Sequence, residues 1–278
     1  MGQAVGEAQL EAIELQLLLE GVFLHYGYDF RHYALASIRR RVWDRVRAEG
    51  LTTISQFQDH VLHDTGCMER LLYALSVNMT AMFRDPEFFR AVRSQVVPLL
   101  KTYPYVRIWH AGCSSGEEVY SLAILLEEEG LLDRCRIYAT DMNDGVLARA
   151  RNGRFPLRLM KEYTANYNQS GGRRAFSEWY TVSLDQAVFR PELRRSVVFS
   201  QHNLATDSSF NEFHVVLCRN VMIYFNRTLQ DRVHQLMYES LVTFGVLGLG
   251  NRESLRVTPH EKDYEVLDER ARLYRKVR

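Results

Sequence analysis

Ile108-Trp109-His110-Ala111-Gly112-Cys113-Ser114-Ser115-Gly116-Glu117-Glu118 is the stretch on which the fold turns. Val106-Arg107-Ile108-Trp109 reads as a short strand, and residues 117–126 as an apolar helix broken by Gly130. Between them, Gly112 and Gly116 let backbone approach a ligand closely, and the small Ser114 and Ser115 keep the loop open. The loop lacks the G-x-G-x-x-G spacing of a dinucleotide fingerprint and the Lys-Ser/Thr ending of a Walker A loop. Two carboxylates at the helix start would repel a pyrophosphate but suit a cationic ligand. That favours a nucleoside carrying a sulfonium and an ammonium group over a nicotinamide dinucleotide.

Downstream, strand and helix alternate. Arg136-Ile137-Tyr138-Ala139-Thr140 is a second strand ending on Asp141, and residues 145–150 form a short helix. Ser196-Val197-Val198-Phe199 and His214-Val215-Val216-Leu217-Cys218 are further strands. Residues 228–244 have the spacing of a long amphipathic helix, and strands follow at 245–249 and 272–277. This alternation predicts a parallel, doubly wound α/β sheet, which binds ligands at the carboxyl ends of its strands. Four successive strand ends carry suitable residues: Gly112 with Glu117, Asp141, Asn203 and Asn220. Asp141 stands where an acidic residue accepts ribose hydroxyls. Each asparagine taken singly is also ordinary turn chemistry.

The first 76 or so residues read differently. Leu10, Ile13, Leu17, Leu18 and Val22 recur at helical spacing, residues 33–48 form a second helix closed by Gly50, and stretches 56–62 and 69–77 continue the pattern. A small helical domain at 1–76, a linker at 77–90 and an α/β domain at 91–278 are expected. The span from about 156 to 195 is too long for an ordinary connection. It holds Tyr163, Tyr167, Phe176, Trp179, Tyr180 and Val182 around Gly171-Gly172, and reads as an inserted antiparallel β-subdomain, for partner recognition or to cover a sheet edge.

Composition narrows the class. The 278 residues are 46% hydrophobic and 25% charged, as expected of a globular chain and not of a disordered or collagen-like one. A net charge of +1 argues against a generic nucleic-acid binder. Only Lys101, Lys161, Lys262 and Lys276 are lysines, so the positive charge is almost all arginine, the residue suited to forked recognition of carboxylates. Cys67, Cys113, Cys135 and Cys218 include no C-x-x-C pair, and no metal site is expected. With no signal-peptide pattern, no myristoylation motif (Gly6 stands where Ser or Thr is needed) and no apolar run of membrane-spanning length, a reduced cytoplasmic protein is expected.

Five segments, in order, resemble the CheR-type methyltransferases, which methylate glutamate side chains of bacterial chemoreceptors. They are Ser76-Val77-Asn78-Met79-Thr80-Ala81-Met82-Phe83-Arg84-Asp85, then Ala111-Gly112-Cys113-Ser114-Ser115-Gly116-Glu117-Glu118-Val119-Tyr120-Ser121, then Ala139-Thr140-Asp141, His202-Asn203-Leu204, and Leu217-Cys218-Arg219-Asn220-Val221-Met222-Ile223-Tyr224-Phe225. Met82, Ser115 and Val119 replace the usual Phe, Thr and Pro and remove no polar group. The resemblance implies a Rossmann-like class I S-adenosylmethionine-dependent methyltransferase fold, with an all-helical N-terminal domain and an inserted antiparallel β-subdomain. It implies S-adenosylmethionine as cofactor and S-adenosylhomocysteine as product. Glu117 would bind the cofactor's amino-acid end, with Glu118 as the alternative, beside Ala111 and Gly112. Asp141 would bind the ribose, Met142 would be a further cofactor contact, Asn203 and Leu204 would flank the adenine, and Asn220 would contact the methionine portion. Asn78, Thr80 and Arg84 would close over the methyl donor.

The implied acceptor is a carboxylate already ionised at neutral pH, since Glu titrates near about 4.3. No general base is needed for in-line attack on a sulfonium methyl, and opposite charges neutralise as it proceeds. Catalysis then rests on positioning and desolvation, with Arg84 orienting the substrate carboxylate and Tyr224 as hydroxyl donor. The segment from Ser37 to Arg47 is locally very basic, and Arg39, Arg40, Arg41, Arg45 and Arg47 are expected to face an acidic receptor helix. A solvated basic face or nonspecific RNA binding is the alternative. In some members of the family the β-subdomain docks a short receptor C-terminal peptide by strand addition. Two rival classes are a small-molecule or nucleic-acid methyltransferase and a module that only senses the cofactor. The Asn78-x-Thr80-x-x-x-Arg84 motif speaks against the first, and the retained set Asp141, Asn203, Asn220 and Arg84 against the second. No membrane insertion is expected, and a monomer is the default.

Overall fold

The computed structural model describes residues 6–76 and 80–278. The chain divides into two units, Met1–Val77 with Tyr224–Gln230, and Asn78–Ile223 with Asp231–Arg278. Residues 80–90, expected as linker, group with the second unit, and a short piece of the later chain groups with the first.

In the first unit, local chemistry sets the helix ends. α1 (Glu7–Tyr26) stops at Gly27, whose φ of 78° an L side chain rarely adopts. α2 (Leu35–Ala48) is followed by α3 (Ile54–His63), capped by the Thr53 side chain accepting from the Gln56 N–H, and by α4 (Thr65–Leu75), capped by Asp64 accepting from the Gly66 N–H. Leu15, Leu18, Leu19 and Val22 of α1, Ile38, Val42 and Val46 of α2, Phe57 and Val61 of α3 and Leu71 and Leu75 of α4 are buried. α2 begins two residues later than expected because the preceding segment is otherwise engaged. Tyr33 bridges antiparallel to Phe225, and the Ala34 N–H donates to the Tyr224 carbonyl at 2.7 Å.

The second unit opens with α5 (Pro86–Ala91) and α6 (Val97–Leu100), joined by a π turn at Val92–Val96. Then come β1 (Val106–Ala111), α7 (Glu117–Glu128), β2 (Cys135–Asp141), α8 (Asp144–Asn152), β3 (Arg154–Pro156), α9 (Met160–Gln169), β4 (Tyr180–Ser183), β5 (Gln186–Phe189), α10 (Glu192–Arg195), β6 (Val197–Gln201) and β7 (Phe213–Cys218). α11 (Arg227–Ser240) leads directly into β8 (Leu241–Leu249), and β9 (Tyr264–Asp268) and β10 (Leu273–Lys276) close the chain. The seven-stranded sheet has the order β6-β2-β1-β7-β8-β10-β9. Its first five strands are parallel, and β10 runs antiparallel to both neighbours. β1 is therefore central, with β2 and β7 on either side, so their carboxyl ends meet at the reversal of strand order.

Two expectations are corrected. The last long helix ends at Ser240, not at 244, because Leu241 already pairs with Phe213 in the sheet and the Lys276 ammonium holds its carbonyl at 2.8 Å. β9 was not expected, since its exposed Glu265 and Val266 lack the apolar run of a central strand. The insertion is a separate three-stranded antiparallel sheet, β3-β5-β4, with α9 laid into it. Its aromatic residues are its core: Phe155, Tyr163, Tyr167, Phe176, Trp179 and Phe189 are all buried. Glu128 at the end of α7 ties it down, accepting from the Tyr167 hydroxyl and from the Arg173 N–H at 2.9 Å.

Candidate active site

β1 delivers Ala111 and Gly112 to the carboxyl edge of the sheet. The N–H groups of Gly112 and Cys113 both donate to the Thr140 carbonyl at 2.8 Å, which holds the loop against the end of β2. Gly112 has φ 72°, and a Cβ there would lie 2.5 Å from Val221 Cγ2, so backbone alone fits. Ser114 is left-handed too, at φ 51°. Its N–H donates to Asp141 Oδ2 at 2.9 Å, and its buried hydroxyl has no partner among the described residues.

The carboxylates are the chemically distinctive groups. Burial pushes Asp141 up, and N–H donors from Asn143, Ser114 and Met142 offset part of that rise. Glu117 is buried, and desolvation raises its carboxyl to about 7 despite a 2.7 Å bond from the Ser115 hydroxyl. Glu118 behaves oppositely. Burial pushes it up, but the Arg219 guanidinium, a bond from His110 and the Arg84 charge outweigh this and hold it below the usual carboxylate range. His110 Nε2 lies 3.1 Å and Arg219 Nη1 2.6 Å from its two oxygens. Glu118 is thus committed to a buried ion network, and Glu117 is the acidic group suited to a ligand. A cationic ligand needs Glu117 ionised, so affinity should rise with pH until the free carboxyl is fully charged. With a free value of about 7, S-adenosylhomocysteine should bind about tenfold more weakly at pH 6 than at pH 8. Titration calorimetry should show that slope vanish in Glu117→Gln; a flat wild-type profile would refute the role.

The segment before α5 is held from three directions. The Phe83 N–H donates to Ser121 Oγ at 2.8 Å, Asn166 Nδ2 to the Met82 carbonyl at 3.1 Å, and Arg219 Nη2 to Asp85 Oδ2 at 2.8 Å. Phe83 (φ 50°) and Asp85 (φ 56°) are both left-handed, so Arg84 sits between two strained residues. Arg219 also lies over the Phe88 ring, 3.9 Å from its centroid. Thr80 is half-buried at the start of this segment, and Asn78 lies outside the described residues.

After β6, the His202 N–H donates to the Asp141 carbonyl at 3.1 Å, which brings Asn203 and Leu204 beside the end of β2. Leu204 is buried. The Asn203 side-chain oxygen accepts from the Ala205 N–H at 3.0 Å, so that atom performs turn chemistry. Asn220, after β7, is left-handed at φ 61°. Sequence reasoning missed Glu253, whose carboxylate takes the N–H groups of Asn220, Val221 and Met222. It also assigned no role to Arg219 or His110; the signal available was a basic and an imidazole group on strand ends facing a Glu-Glu pair.

Tyr224 groups with the first unit, where the Arg41 guanidinium lies 5.6 Å from its ring centroid. A single basic face on α2 does not describe the arginines. Arg41 is half-buried, and donates to the Ala74 carbonyl at 2.8 Å at the end of α4. Arg39 pairs with Glu11, Arg45 with Glu49, and Arg47 with Asp44 at 2.6 Å. Arg40 is exposed. Spacing alone did not show that acidic residues of α1 and of α2, and Glu49 just after α2, neutralise its neighbours.

Residues 78–271 match the family model "CheR methyltransferase, SAM binding domain", and residues 13–76 match "CheR methyltransferase, all-alpha domain". Cher3 of Pseudomonas putida is 49% identical, over 95% of this chain and 97% of its own. A "Chemotaxis protein methyltransferase" of Listeria innocua is 32% identical, over 82% and 85% of the two chains. "Chemotaxis protein methyltransferase 2" of Pseudomonas aeruginosa is 30% identical, over 89% and 88%. The donor set fits the cofactor that the match implies: a buried acidic group for an ammonium, a second acidic group for a ribose, and glycine backbone where a side chain would collide. A class I S-adenosylmethionine-dependent methyltransferase fold with a helical N-terminal domain and an antiparallel insertion is therefore present, and the chain belongs to the CheR methyltransferase family.

Proposed function

We propose that the protein methylates glutamate side-chain carboxylates on the cytoplasmic helices of methyl-accepting chemoreceptors, forming methyl esters that serve chemosensory adaptation. The observation that carries the reading is the paired arrangement of Glu117 and Asp141 about the Gly112 loop, beside Arg84 on a segment whose left-handed neighbours Phe83 and Asp85, with Met82, are held by Ser121, Arg219 and Asn166. When bound, S-adenosylmethionine supplies an electrophilic methyl on a sulfonium. Glu117 holds its amino-acid end and Asp141 its ribose, with Met142 beside them, and Ala111 and Gly112 supply backbone. Asn203 and Leu204 flank its adenine, Asn220 contacts its methionine portion, and Asn78, Thr80 and Arg84 close over the methyl donor. Arg84 orients the acceptor carboxylate, and Tyr224 donates a hydrogen bond to it. The acceptor arrives ionised, so no residue removes a proton. The names of the Listeria and P. aeruginosa relatives support a chemotactic substrate.

Radiolabelled S-adenosylmethionine, incubated with the protein and receptor-containing membranes, should give base-labile label on receptor. Cofactor binding with no transfer to any receptor would refute the reading.

Charge complementarity assigns α2 to the acidic receptor helix, with Arg40 as its most available cation. Arg40→Glu should raise the KM for receptor roughly threefold to tenfold and leave S-adenosylhomocysteine affinity unchanged. An unchanged receptor KM would remove Arg40 from the interface. β4 is one of the two outer strands of the insertion, with Val182 exposed on it and Leu184 exposed in the turn that follows, and suits strand addition by a receptor peptide. We place the protein in the cytoplasm as a monomer; no helix among the described residues is long and apolar enough to cross a membrane.

A further inference from the structure

One buried acidic side chain has no part in the scheme above. Glu253 lies in the loop after β8 with 5% of its surface exposed. Its Oε2 accepts from the N–H groups of Gly250 at 2.6 Å and Asn220 at 2.9 Å. Its Oε1 accepts from those of Val221 at 2.9 Å and Met222 at 2.8 Å. Three of the four donors are consecutive residues. Successive N–H groups turned to one point form a concavity of the kind that binds anions, and here a carboxylate of the same chain fills it.

That turn touches the cofactor loop directly. The Val221 side chain occupies the space that a Cβ on Gly112 would need. Gly250 backs onto Asn220 so closely that a Cβ there would lie 2.7 Å from the Asn220 nitrogen and 2.9 Å from its side-chain amide. Asn220 adopts φ 61°, a conformation held from outside itself. At the other end of the turn, Arg219 is locked onto Glu118 and Asp85. Burial raises the Glu253 carboxyl, and the four N–H donors work in the opposite sense by favouring its charged form.

We propose that Glu253 is a positioning residue for the cofactor, fixing the 219–222 turn so that Asn220 meets the methionine portion and Val221 seals Gly112. The inference rests on the reading of Asn220 as a cofactor contact, and the test separates the two. Glu253→Gln keeps the shape but offers one oxygen to four donors and turns an amide N–H₂ toward the rest. Gly250→Ala keeps the carboxylate's charge and crowds both Asn220 and Glu253 Oε2, disturbing the same junction from the glycine side, so it decides the matter if the first variant fails to fold.

In steady-state assays on the full chain, each variant should raise the KM for S-adenosylmethionine by about tenfold or more, with the receptor KM unchanged. In calorimetric titrations with S-adenosylhomocysteine, Glu253→Gln and Asn220→Ala should weaken binding, and the double variant should lose less than the two losses multiplied together. A role in folding alone would lower the melting temperature and leave the KM where it was. A weakened Asn220→Ala beside folded Glu253 and Gly250 variants of wild-type affinity would overturn the positioning role. An unweakened Asn220→Ala would overturn the reading of Asn220 itself.

Discussion

Asp141→Ala should weaken binding of S-adenosylhomocysteine by roughly 100-fold or more, because it removes a charged acceptor from two sides at once. On the ligand side, bonds to a carboxylate are worth about 1.5–3 kcal/mol each, and the ribose offers two hydroxyls. On the protein side, the carboxylate takes the N–H groups of Ser114 and Asn143, at 2.9 and 3.0 Å, and that of Met142. Ser114 is left-handed, so loss of its anchor frees a residue held in a costly conformation. Calorimetry on the folded variant checks this, and Asp141→Asn, which keeps the shape, should recover only part of the loss. Near-wild-type affinity in Asp141→Ala would remove the residue from the site.

Arg84→Ala should lower kcat by about 100-fold or more while the protein still binds cofactor. Positioning is what this reaction needs from the protein, since charges cancel on the way to the transition state and a strong polar grip on the reactants would slow it. The segment is built for positioning. Phe83 and Asp85 each hold backbone angles that cost about 1–3 kcal/mol, offset by the bonds from Ser121, Asn166 and Arg219. Single-turnover transfer to receptor, measured beside S-adenosylhomocysteine affinity, separates chemistry from binding. Arg84→Lys retains the charge and loses the planar fork, so it should remain well below wild type. Normal turnover in Arg84→Ala would refute the assignment.

The loop between β1 and α7 was legible because its chemistry is local. Glycines at 112 and 116, the small serines and the paired carboxylates mark a tight strand-to-helix turn before any tertiary contact is known, and Gly112 and Gly116 do take positive φ there. The strand ends at Asp141, Asn203 and Asn220 were legible for the same reason, through period and position. The pairing of the α2 arginines was not legible, because charge along one helix says nothing of the partners that folding brings. Glu11 on α1 neutralises Arg39, and the end of α4 captures Arg41.

From sequence alone came the alternating α/β order, the helical N-terminal domain, the aromatic insertion and the residues at the strand ends, since each depends on neighbours along the chain. Tertiary structure alone distinguished Glu117 from Glu118. The two are adjacent and chemically identical, yet one is buried against the Ser115 hydroxyl while the other meets Arg219 and His110. Desolvation and long-range ion pairing divide them, and neither is a property of local sequence. The same holds for Glu253, which is 33 residues from Asn220 along the chain and 2.9 Å from its backbone nitrogen in the fold.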